Sequence, residues 1–247
     1  MFEAIKTIIV LAVAASAISA VSAGEPSGIH VGRIVIDGRD ICNGTLVSPS
    51  VVLTAGHCIQ PPGELSPTKP HRISFLIKSP RDNKRRLFSA IDVGLTPAFA
   101  YRDANAPGVP ALQNDLALVK LDGIATRTGY QTVGDPDEKD GLVKIPAKLG
   151  RDRAPEGQEV CLDRTFRNGL MLLSCHRDEG FSGSPVFAQV EGMRRIVGVV
   201  TAKSKRANVP VLYAVVPSFA LHRVVWKSHL GDHQIKSIAR GGDYRPR

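Results

Sequence analysis

Apolar residues along the chain fall in short runs broken by turn-forming residues. Ile29–Ile36 and Gly44–Thr54 are rich in Val, Ile, Leu and Thr, side chains that suit a pleated, half-buried surface. Arg72–Lys78 and Leu87–Leu95 flank the polar tip Ser79–Arg86 and read as a hairpin. Leu116–Leu121 is a compact run of strand length. Pro61–Pro70, with four prolines, and Ala104–Pro110 read as surface loops. From Asp122 to Gly141 the chain turns polar and glycine-rich, which suits a connection between two halves.

The second half continues in the same style. Glu159–Phe166 and Leu170–Cys175 surround Arg167-Asn168-Gly169. A three-residue loop with Gly169 in the left-handed region, a type I turn closed by a bulge, puts Cys161 directly across from Cys175. That is within reach of a cross-strand disulfide if the two form a close, non-hydrogen-bonded pair. Arg195–Ala202 and Pro210–Val216 predict two further strands. After Pro217-Ser218 the period changes. Phe219, Leu221, Val224, Val225 and Leu230 recur at helical spacing, with Ser218 as a candidate cap. The pattern predicts a mostly β protein with one terminal helix over 218–233 and a basic tail over 234–247.

Composition narrows the class. In 247 residues there are 23 Gly and 17 Pro, which excludes a long-helix bundle. Hydrophobic residues at 43% and charged residues at 22% exclude a disordered chain. At the N-terminus, Met1–Lys6 carries a lysine, Thr7–Ile18 is apolar or small, and Val21-Ser22-Ala23 offers small residues to a signal peptidase. The apolar stretch is short for a span of roughly 30 Å, so 1–23 reads as a cleaved signal peptide. The expected product is secreted or periplasmic and has no membrane span.

Export agrees with the cysteines. Cys42, Cys58, Cys161 and Cys175 allow two disulfides in three connectivities. No C-x-x-C pair or close Cys/His ligand spacing is present apart from the adjacent His57-Cys58, so disulfides are favoured over zinc. Lys and Arg number 32 against 23 Asp and Glu, a net charge of +9. The excess gathers in Lys78–Arg86 and around Arg194, Arg195, Lys203, Lys205 and Arg206. Such clusters offer contact to an anionic surface or serve as solvated hairpin tips. With aromatics at 5%, no stacking platform for specific nucleic-acid binding is expected.

Four stretches carry candidate chemistry: Cys42-Asn43-Gly44-Thr45-Leu46, Thr54-Ala55-Gly56-His57-Cys58, Asn114-Asp115-Leu116-Ala117-Leu118 and Gly180-Phe181-Ser182-Gly183-Ser184-Pro185. Together, in the order His, Asp, Ser, they resemble the chymotrypsin/trypsin-like serine peptidases. The Gly-Ser-Pro ending is most similar to the bacterial branch that includes glutamyl endopeptidases. The resemblance runs from about Val31 to Leu230. It implies an all-β fold of two packed antiparallel Greek-key β-barrels, over 24–126 and 127–217, followed by the helix.

The resemblance also implies roles. Ser182 is the nucleophile, His57 its general base, and Asp115 the group that fixes the imidazole tautomer. Main-chain N–H groups of Gly180 and Ser182 form the oxyanion hole. A Cys42–Cys58 bond would tether the residue beside the base. The primary pocket takes His176 at its base, with Thr201, Ala202, Lys203 and Val211 along its walls. No acidic residue stands at that base, so a preference for Lys or Arg is not expected. His176 and Lys203 suit an acidic substrate side chain, whereas Asp178 and Glu179 oppose it and Val211 narrows the pocket.

One departure is informative. Digestive members place an aspartate just before the nucleophile, where it pairs with a newly freed N-terminal ammonium. Here that position is Phe181, whose ring cannot compensate a buried charge. The expected function is a secreted serine endopeptidase acting on polypeptides as a monomer, without metal or cofactor and without zymogen cleavage at a defined bond. The alternative is a catalytically silent, basic binding protein on the same scaffold.

Overall fold

The computed structural model describes residues 30–78, 82, 84–96, 112–127, 130–136, 143–146, 158–174, 180–206 and 209–226. The predicted signal peptide, the loop Ala104–Pro110 and the basic tail lie outside them.

The first half forms β1 (Val31–Ile36), β2 (Arg39–Ser48), β3 (Val51–Thr54), β4 (Ile73–Lys78), β5 (Arg85–Leu95) and β6 (Ala117–Leu121). All pairings among them are antiparallel, and β4 returns to lie beside β1, the Greek-key order. A further β5–β6 pairing joins the ends of the sheet into a ring. Along β4 burial alternates residue by residue, with Ile73, Phe75 and Ile77 pointing inward. The run expected over Gly44–Thr54 is two strands, broken at Pro49-Ser50, where proline cannot donate to a ladder.

The second half closes a six-stranded barrel. Its strands are β7 (Val143–Pro146), β8 (Gln158–Arg167), β9 (Leu170–Ser174), β10 (Pro185–Val190), β11 (Met193–Arg206) and β12 (Val209–Val215). Here β10 pairs with β7, again a Greek-key return.

The hairpin β8–β9 reaches its register by a different route from the one expected. Arg167 pairs with Leu170, so the turn is the two residues Asn168-Gly169, with φ of 52° and 76°. Positive φ at both central positions is the type I′ signature, whose twist matches that of the strands. Asp37-Gly38 and Glu191-Gly192 repeat it, with φ of 50° and 76° and of 52° and 75°. A bulge between Leu162 and Arg164 then shifts the ladder so that Leu162 faces Ser174.

The terminal helix is shorter than its periodicity predicts. The α-helix α1 spans Pro217–Ala220 and tightens into a 3₁₀ turn over Leu221–Arg223. Proline opens it, and Val216, not Ser218, holds the cap position. Val225–Trp226 then forms β13, pairing with Leu95 and Gly94 of β5. A neighbouring strand with open backbone groups outcompetes the local helical pattern.

One buried apolar cluster runs from Ile34, Phe75 and Leu118 in the first barrel to Phe187, Ile196 and Val215 in the second. Ala220 and Leu221 belong to it, so α1 closes the seam between barrels. A separate cluster fills the second barrel around Ile145, Met171 and Leu173. Among the described residues, no helix is long and apolar enough to cross a membrane.

Candidate active site

His57 and Asp115 meet because of how β3 and β6 pair. Thr54, at the end of β3, faces Ala117 at the start of β6. The chain leaving β3 turns through Ala55 into a 3₁₀ turn, Gly56–Cys58. The first N–H groups of any helical turn lack partners within it. That of His57 donates to Asp115 Oδ1 at 2.7 Å. The ring Nδ1 of His57 lies 2.7 Å from Asp115 Oδ2, so one carboxylate fixes both backbone and ring.

Asp115 is fully buried, while the His57 side chain keeps 17% exposure toward solvent. Burial pushes the imidazole down; the charge of Asp115 and the hydrogen bond to it push it up and prevail. The net result lies above the ordinary 6.5. Leu112 and Leu116 nearby in the chain are themselves buried, Thr96 Oγ1 donates to the carbonyl of Asn114, and Arg223 Nη1 donates to Asn114 Oδ1 at 3.3 Å.

Thr201, expected along the pocket wall, donates its hydroxyl to Asp115 Oδ2. It is the extra residue of a bulge in β11, where Val200 pairs with Ala214 and Ala202 with Tyr213. A bulge re-aims a side chain out of strand alternation, and here it turns a buried hydroxyl onto the acid.

Ser182 lies half-buried in the turn that leads from Gly180 into β10. Gly180 has a φ of 96°, a conformation glycine adopts without strain. The turn is fastened on both sides. From the second barrel, Gly183 N–H donates to Val200 O at 2.8 Å and Val200 N–H to Ser184 O at 2.9 Å. From the first, Asn43 N–H donates to Ser182 O at 2.8 Å. Asn43 adjoins Cys42, whose disulfide to Cys58 fixes the residue after His57. Successive residues of β11, Val200 and Thr201, therefore hold the Ser182 turn and Asp115.

Cys42, His57 and Cys58 also form a group whose ligand atoms lie within 4.8 Å of one another. The two sulfurs are bonded to each other and offer no thiolate to a metal. Cys161 is disulfide-bonded, and Cys175 lies outside the described residues. So does His176. Of the remaining pocket positions, Ala202 is half-buried, Lys203 exposed, and Val211 buried opposite Ser204 in the ladder. Phe181 is buried in the core of the second barrel.

Sequence reasoning gave Asn43 no role and missed what Thr201 does for the acid. Each is a polar residue in a buried strand segment, and that is the signal that marks them.

No curated protein matches the chain. Among solved structures, the secreted serine protease VesC from Vibrio cholerae is similar over 77% of this chain and 44% of its own, at 14% identity and a TM-score of 0.58. The chain thus spans less than half the length of that protein, and the likeness is one of fold. The Trypsin family model matches residues 22–154, more than half of the chain, including His57 and Asp115. With its paired β-sheets and a buried aspartate gripping the histidine beside a disulfide, the chain belongs to the trypsin family.

Proposed function

We propose that this protein is a secreted serine endopeptidase that cleaves polypeptides through an acyl-enzyme formed on Ser182. The observation that carries the reading is the doubly held His57. With Nδ1–H directed at Asp115, the ring presents Nε2 as the unprotonated nitrogen, the form a general base requires. His57 takes the proton of the Ser182 hydroxyl as Oγ attacks the scissile carbonyl, then returns it to the leaving amine. Water enters by the same route in reverse and frees the acid product. N–H groups of Gly180 and Ser182 hold the oxyanion, each worth roughly 3 kcal/mol of barrier. Cys161 pairs with Cys175 in this reading and braces the β8–β9 hairpin.

Activity needs no cut at a defined N-terminus, because Phe181 fills with an apolar ring the place where an ammonium-binding carboxylate would stand. Several residues added ahead of Gly24 should leave turnover intact; loss of turnover in a folded protein overturns this part. In the primary pocket, the family resemblance, which assigns His176 to the base and Lys203 to the wall, favours an acidic side chain over Lys or Arg, as in the glutamyl endopeptidase branch. A peptide-library cleavage profile decides this. The signal peptide over 1–23 directs export, in keeping with the secreted structural neighbour.

The experiment for the whole reading is labelling with a fluorophosphonate. Stoichiometric modification at Ser182, abolished by Ser182→Ala, supports it. Folded protein that takes up no label favours a silent binding protein that uses its net charge of +9.

A further inference from the structure

Every polar atom of Asn43 is engaged, and three of its contacts lie on the turn that carries Ser182. Its N–H donates to Ser182 O at 2.8 Å, and its carbonyl accepts from Thr54 Oγ1 at 2.6 Å. Its side-chain Nδ2 donates to Gly180 O at 3.0 Å and to Ser184 Oγ at 2.7 Å. Its Oδ1 accepts from Arg33 Nη1 at 2.5 Å. The residue is 1% exposed. Its partners leave the amide only one orientation, since a guanidinium can only donate and the Gly180 carbonyl can only accept. Arg33 itself reaches in from β1 with Asp40 at 3.9 Å.

We propose that Asn43, oriented by Arg33, is the positioning residue that sets the peptide planes of the Gly180–Ser184 turn. This rests on the peptidase reading above. The carbonyl and N–H of one peptide point in opposite directions. Holding Gly180 O fixes the peptide between Gly180 and Phe181; holding Ser182 O fixes the next but one. Between them, Phe181 O accepts from Ser184 N–H at 2.9 Å. Three consecutive planes are thereby set, and the Ser182 N–H is left a single direction. The Phe181 side chain carries no charge, and hydrogen bonds from the first barrel order the turn on either side of it. An asparagine is required because the site needs a donor and an acceptor on one short, planar group. Aspartate cannot donate to Gly180 O, and serine is too short to bridge to Arg33.

The test compares wild type with Asn43→Ala and Asn43→Asp in the full chain. The readouts are peptide hydrolysis, binding of a peptide boronate, fluorophosphonate labelling at Ser182 and amide exchange of the turn. A displacement near 1 Å costs about 100-fold in rate. We expect kcat to fall about 10- to 100-fold at nearly constant KM, boronate affinity to fall in parallel, and exchange at residues 180–184 to quicken. In Asn43→Ala the pH midpoint of activity should stay in place, because the variant adds no charge and the His57–Asp115 pair is untouched. Asn43→Asp keeps the volume and the Arg33 contact and should lose as much; if the alanine variant does not fold, it and Arg33→Met carry the test. An Asn43→Asp protein with kcat within twofold of wild type overturns the inference, as does a rise in KM that accounts for the whole loss. Wild-type protein that neither cleaves peptides nor takes the label overturns the peptidase reading and this inference together.

Discussion

Asp115 grips His57 at two points, Oδ1 on the main-chain N–H and Oδ2 facing the ring Nδ1, each at 2.7 Å. Losing the ring contact alone would leave the imidazole free to turn. Losing the backbone contact would leave the 3₁₀ turn with an unsatisfied donor. Because both depend on one carboxylate, the position of the imidazole and its tautomer are set together.

That arrangement fixes a pH dependence. The imidazole titrates above 6.5, so kcat/KM should fall on acidification with a midpoint above that value. The effect on stability has the opposite sign. A raised pKa means the protonated pair stabilises the fold fully below pH 6.5, and this contribution is lost as pH rises through the folded-state value. Melting temperature and rate, measured against pH on one preparation, should cross. Full activity at pH 4 would be incompatible with a histidine base.

Asp115→Asn should move the rate midpoint downward, because burial then acts on the imidazole without the opposing charge. It should also lower kcat by about four orders of magnitude, since an amide can hold the wrong tautomer. An acid-limb titration by NMR of the His57 ring separates the two effects.

Ser182→Ala should reduce turnover by around six orders of magnitude with little change in melting, because triad members act as a unit. Steady-state kinetics beside calorimetry would show this. A loss that tracks unfolding would point to a structural role instead.

Thr201→Val removes the hydroxyl that donates to a fully buried carboxylate while nearly preserving shape. Leaving a charged acceptor short of a donor costs about 2 kcal/mol. Denaturant midpoints should report a loss of that size. The His57 pKa should rise, since the carboxylate charge is then less well compensated.

Gly183→Ala should be severe. Gly183 sits at φ +78°, and an added Cβ would lie 2.1 Å from Asn43 O and 2.5 Å from Thr54 Oγ1. The left-handed backbone alone costs about 1 kcal/mol, and crowding into held groups adds a further 1–3 kcal/mol or so. Expression of soluble protein and its melting temperature are the measurements.

Much of the fold was legible because each strand carries its own period and each tight turn its own glycine. The hairpin expected of Arg72–Lys78 and Leu87–Leu95 is the β4–β5 pair, and the run Leu116–Leu121 contains β6. What was not legible depends on partners distant in sequence. The pattern from Phe219 to Val225 is helical, yet Val225 pairs with Leu95 of β5. Val143–Pro146 and Pro185–Val190 were passed over because one is short and the other starts on a proline beside a motif. At the site, His57, Asp115 and Ser182 stand in recognisable motifs. The grip of Thr201 on the acid could not be read, because it follows from a one-residue bulge that alternation does not foresee.

The contact between Arg223 and Asn114 has a bearing on assembly. Polypeptides emerge amino end first, and early portions begin to fold as they appear. Here the loop that steadies the acid awaits a guanidinium made 109 positions later, and the edge of β5 awaits Val225 and Trp226. The front portion of the chain can collapse early, but its charge machinery settles only when the back portion arrives. The candidate site is thus completed only when synthesis is nearly done.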